Sequence, residues 1–134
     1  PDAIRAYVLG DKVLIAGDSM MPVPYIARGN MAQLRRVLES IKALEPDFVV
    51  QGHGNVLLRG EVGESVDQSL DYLDTITERV RALVDKGAPA RELQNISIEA
   101  CGLSRIPLDG LVSRLHLDNL VALYKQEIAR REAS

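Results

Sequence analysis

Phe48-Val49-Val50-Gln51-Gly52-His53-Gly54 is a short apolar run that closes on a histidine set between two glycines. A compact apolar run bounded by turn residues reads as a buried strand. The glycines let the backbone turn tightly where the strand stops and leave the imidazole unobstructed. Upstream, Val13-Leu14-Ile15-Ala16-Gly17-Asp18 repeats the arrangement with a carboxylate in place of the imidazole. Ligands of α/β sheets bind at the rim formed by strand C-termini. A carboxylate offsets ionic charge and an imidazole supplies a borderline nitrogen donor, so together they suit Zn²⁺, Mn²⁺ or Fe²⁺. Either element alone has an ordinary explanation, a turn or helix cap for Gly-Asp and a satisfied hydrogen bond for the histidine. Their joint occurrence, each at the end of a strand, gives the pair its weight.

Working outward, Ile4 to Leu9 and Val13 to Ala16 read as two antiparallel strands around the turn Gly10-Asp11-Lys12. Pro22, Pro24 and Gly29 block both helix and central strand, leaving Ser19 to Asn30 as a loop directly after Asp18. Asn30 is an N-cap for a helix whose apolar stripe is Met31, Leu34, Val37, Leu38, Ile41 and Leu44, and Pro46 ends it. A second helix is expected from Glu64 through Val66, Leu70, Leu73, Ile76, Val80 and Leu83 to the stop at Lys86-Gly87. Ala90 to Ala100 reads as a shorter helix ended by Gly102. A last helix starts near Pro107, with Leu111, Leu115, Leu120, Tyr124 and Ile128 on its apolar side. The fold class is α/β, a small sheet with packed helices over residues 1–60 and a helical extension over 61–134 packing on the same domain.

A length of 134 residues suits one domain, and 46% hydrophobic with 26% charged residues is ordinary globular composition. A net charge of -3 without blocks of either sign gives no footprint for nucleic acid or an anionic membrane. Cys101 is the only cysteine, which excludes an internal disulfide and a thiolate cluster. No apolar run has the length of a membrane span, so a soluble protein is expected, with the cytoplasm slightly favoured. Pro1 followed at once by strand-like sequence leads us to expect a chain that begins inside a fold, as a fragment of a larger protein.

Pro1 to Asn55 resembles the second half of metallo-β-lactamase-fold hydrolases: strand, turn, strand ending in Gly-Asp, variable loop, helix, then Asp-Phe-Val-Val-x-Gly-His-Gly. The resemblance implies half of an αββα sandwich. It implies that Asp18 bridges two metal ions, most readily Zn²⁺ with Fe or Mn as alternatives, that His53 completes the shell of one, and that Asp18 is catalytic. Pro1-Asp2 looks like the pair that follows the family's Gly-His-Thr segment. Glu64 to Tyr124 is similar, more loosely, to the helical tail of the glyoxalase II-like or sulfur-metabolism-like branches. The reaction implied is hydrolysis of an ester, thioester, lactam or phosphoester in a small-molecule substrate.

The family's His-x-His-x-Asp-His run is absent, and the only other histidine is His116. A catalytic zinc takes three protein ligands and a water. The expectation is therefore that this chain alone binds metal weakly and hydrolyses nothing. Half of such a sandwich leaves a sheet face bare, so self-association or a docked N-terminal half is expected. Met21, Tyr25 and Arg28 are candidates for substrate contact; no further cofactor is expected. His116 reads as a histidine at the core edge with a bonded ring nitrogen, and Cys101 as a small buried side chain. The rival readings are a non-catalytic α/β interaction module and a metal-dependent oxidation enzyme of the same fold.

Overall fold

In the computed structural model, which describes residues 5–134, four strands form one mixed sheet in sequential order. Strand β1 (Ala6–Val8) pairs antiparallel with β2 (Val13–Gly17), and β2 pairs parallel with β3 (Phe48–Gln51). The two-residue β4 (Leu57–Leu58) adds antiparallel to β3. Ile4 and the Pro1-Asp2 pair lie outside the described residues. Helix α1 (Met31–Leu44) makes the crossover that parallel neighbours require. Its Asn30 cap accepts from the Gln33 amide at 3.1 Å, and it ends on Glu45 in the left-handed region (φ 48°), ahead of Pro46.

The sheet is apolar on both faces. Cross-strand neighbours Tyr7, Leu14, Val49 and Leu57 share the face turned to the helices, where Leu14 and Val49 are buried. On the other face Val8, Val13, Phe48 and Leu58 form one row and Ala6, Ile15 and Val50 the next. In that outer face Ile15 is 46% exposed and Phe48 43%. Strands that carry apolar residues on both faces are the kind that other proteins bury from both sides.

Two long helices, α2 (Arg59–Asp85) and α3 (Leu111–Glu132), supply the rest of the core, α2 packing on both α1 and α3. Helix α2 begins at Arg59, not near Glu64, because the Glu61 carboxylate accepts from the Leu58 amide at 2.8 Å and starts the helix directly from β4. Ala90 to Ala100 is not an α-helix. It forms two short 3₁₀ turns, Ala90–Asn95 and Glu99–Cys101, which press Leu93, Ile98 and Cys101 into the core. Pro107–Gly110 is a further 3₁₀ turn, and the left-handed Leu108 (φ 58°) and Asp109 (φ 52°) delay α3 to Leu111.

Inside this core lies a chain of polar side chains with every bond directed. The His116 ring sits with Nε2 2.8 Å from the Ile96 carbonyl. Nε2 must carry the proton, since a carbonyl only accepts. Nδ1 is then an acceptor and takes the Tyr72 hydroxyl at 2.9 Å. That hydroxyl accepts from Asn119 Nδ2 at 3.1 Å. Asn119 also donates to the Pro24 carbonyl at 2.7 Å and accepts from the Ile26 amide at 2.9 Å. The network thus ties α2, α3 and the Ala90–Asn95 turn to the loop that follows Asp18.

Burial lowers the His116 pKa from its ordinary 6.5, against the Ile96 carbonyl and the Glu99 charge, which raise it. Burial also drives the Tyr72 hydroxyl well above its ordinary value of 10.0, against the Asn119 bond, which lowers it. For His116, stability is full above the unfolded value near 6.5 and falls as pH drops below it, because the unfolded chain takes the proton first. For Tyr72 it is full below 10.0 and falls above, because the unfolded chain loses the proton first. Replacing Asn119 by Ala leaves the Ile26 amide and Pro24 carbonyl unpaired. Urea unfolding of Asn119→Ala is expected to report a loss of about 3 kcal/mol, and His116→Gln is expected to flatten the acid limb of the stability profile.

Candidate functional site

Parallel pairing brings the ends of β2 and β3 to one rim, where Gly17 stands opposite Gln51 across an irregularity in register between Ile15 and Gly17. Gly17 takes φ 54°, a left-handed conformation that suits glycine. Asp18 therefore leaves the strand at an angle, followed by a turn in which the Ser19 amide donates to Ala16 at 3.1 Å. The Gly52 amide donates to the Gly17 carbonyl at 2.8 Å and locks the two strand ends together. A Cβ at Gly52 would stand 2.7 Å from the Gly17 carbonyl carbon and 2.8 Å from the Asp18 nitrogen. Only glycine fits there. Gly54 is needed for a second reason, its φ of 97° beside Pro22.

This geometry brings Asp18 and His53 together: Nε2 of His53 lies 3.5 Å from Oδ1 of Asp18. Their side chains are 71% (Asp18) and 55% (His53) exposed, so both reach solvent at the rim. Ligand atoms on one tetrahedral zinc, at bond lengths near 2.1 Å, stand about 3.4 Å apart. The pair thus has the spacing of one edge of such a site. Among the described residues no group of three or more His, Cys, Asp or Glu side chains is placed to hold an ion.

A groove of about 970 Å³ opens beside the rim, with Met20, Met21, Gln51 and Gly54, chain neighbours of the pair, in its wall. Neither Asp18 nor His53 lines it. Its other walls come from the start of α2 and from the Gly102 to Leu108 segment. Of the three residues proposed for substrate contact, Met21 lines the groove. Tyr25 instead donates its hydroxyl to Asp118 on α3 at 3.3 Å, and Arg28 is exposed and outside the groove. Most of the loop's other apolar residues are core: Met20, Val23 and Ile26 are buried.

His116 is not at the core edge but inside the core, both ring nitrogens bonded, and Cys101 is buried with its thiol pushed up by desolvation. Sequence reasoning missed Asn119, which holds the loop after Asp18 through two backbone groups. An asparagine amid the apolar stripe of α3 was the available signal. Ser69, a serine on the buried face of α2 that lines the groove, was a second.

Gly52→Ala is expected to cost about 1–3 kcal/mol in urea unfolding, since the strand ends must part to admit a methyl. Gly60→Ala, where a Cβ meets nothing within 4 Å, is expected to gain a few tenths of a kcal/mol at the start of α2. A Gly52→Ala protein as stable as the parent would mean that the rim is not tightly joined. Compared with protein-family models and with curated proteins, the chain matches none.

Proposed function

We propose that Asp18 and His53 are two ligands of a metal-dependent hydrolase centre, with the remaining donors supplied by polypeptide outside these 134 residues. The observation that carries the reading is the 3.5 Å separation of His53 Nε2 and Asp18 Oδ1 at the ends of two adjacent parallel strands. The resemblance to metallo-β-lactamase-fold hydrolases supports it, and so does the bare apolar face of the same sheet, where a second half of a sandwich would lie.

Zn²⁺ bound at such a centre supplies Lewis acidity toward a carbonyl oxygen and a nucleophilic water near neutral pH. The work of this chain is to hold and to orient. His53 supplies a neutral nitrogen donor from a turn that Gly52 makes tight. Asp18 supplies a carboxylate whose second oxygen can accept a hydrogen bond from the attacking water and fix its direction. The loop from Ser19 to Asn30, held by Asn119, sets the near wall of the groove that receives the substrate.

Zinc titration of the 134-residue chain, followed through the ring protons of His53 by NMR, tests the ligand assignment. Weak binding is expected, at least about tenfold weaker again after Asp18→Asn, because one of two donors is blunted. The ring of His116 is expected to stay unchanged. A tight stoichiometric site in the chain alone, or zinc shifts at His53 indifferent to Asp18→Asn, would overturn the assignment.

A further inference from the structure

The groove beside the rim has a chemical preference of its own. Among the described residues Glu61 is the only ionisable side chain in its wall, and that carboxylate is engaged at the start of α2 by the Leu58 amide at 2.8 Å. Arginines in the flanking segments turn to carboxylates elsewhere. Arg59 pairs with Asp47 at 3.2 Å. Arg105, which sits between the lining residues Ser104 and Ile106, forks onto Glu99 at 2.5 and 3.0 Å. Hydrogen bonding to Arg105 holds the Glu99 carboxyl below its ordinary value of 4.5. Among the described residues no Lys, Arg or His side chain lines the groove to meet an anion.

What the groove does offer is apolar surface and hydrogen-bonding groups. Met21, Leu103, Leu57 and Leu58 contribute to its walls, and Ile106, 81% exposed, stands at its lip. Ser69 is only 4% exposed yet lines the groove, as do the hydroxyl-bearing Ser65 and Ser104. An anion entering such a site would lose hydration with no counter-charge to replace it. An uncharged amide or ester group would find a hydroxyl partner, and an alkyl chain would cover the exposed lip.

We propose that this groove binds an uncharged acyl compound, an amide or ester with an alkyl chain, and discriminates against carboxylates and phosphates. The preference rests on wall chemistry. That the ligand is also the substrate rests on the hydrolase reading; its binding does not.

The test is binding of octanamide against octanoate to the 134-residue chain at pH 7.5, read from the backbone amides of Ser69, Leu103 and Met21. Octanamide is expected to shift all three, with octanoate at least about tenfold weaker, since the two differ only in the charge the groove cannot neutralise. Ser65→Arg, on the half-exposed groove face of α2, is expected to reverse the order. Asp18→Asn is expected to leave octanamide binding unchanged, which separates the groove from the metal assignment. Equal binding of the two probes, or no shift at those amides with either, would overturn the proposal.

Discussion

Because β2 and β3 run parallel from the Val13–Phe48 pair to the Gly17–Gln51 pair, whatever follows each strand must emerge at the same rim. Asp18 and His53 are those followers. The constraint is tight at one point, the 2.8 Å bond from the Gly52 amide to the Gly17 carbonyl, where the absence of a side chain lets the two backbones touch. A carboxylate and an imidazole on exposed loops pay side-chain entropy to stay together and gain little from an ion pair. Here the backbone holds them at 3.5 Å.

Helix α3 bonds the middle of the loop between β2 and α1. Asn119 replaces the sheet or helix partners that Pro24 and Ile26 lack, and Tyr25 reaches Asp118 on the same helix. Buried backbone groups need partners. A helix from the far end of the chain therefore anchors the loop whose first residues, Met20 to Pro22, line the groove. Burial of Met20, Val23 and Ile26 fixes the same loop from the apolar side. The helical tail is thus part of the site's framework, joined to it by the polar network through Tyr72 and His116.

Helix α1 was legible at both ends, since Asn30 and Pro46 are local signals that tertiary structure did not override. The two strand tips were legible too, because a Gly-Asp and a Gly-His-Gly after apolar runs mark where each strand stops; that the tips meet was expected from the family resemblance. The start of α2 was not. Gly60 and Gly63 lower local helix propensity, and what starts the helix is the Glu61 bond to Leu58 beside a two-residue strand. Nor were the 3₁₀ turns before α3, where Leu93, Ile98 and Cys101 fill the space over the helices rather than forming one helical stripe. The Tyr72, His116 and Asn119 network joins residues distant in sequence, and no local pattern encodes it.

Two features of the same sheet bear on the proposed function. On that reading the rim supplies two of the three protein ligands that a catalytic zinc takes. The sheet's outer face presents Val8, Ile15, Phe48 and Leu58, each more than 40% exposed, in adjoining cross-strand rows. Burying such a row is favourable at about 25 cal/mol per Å² of apolar area. A second sheet laid on that face, as in the proposed sandwich, would cover those rows. A partner binding only the helices would leave those rows bare.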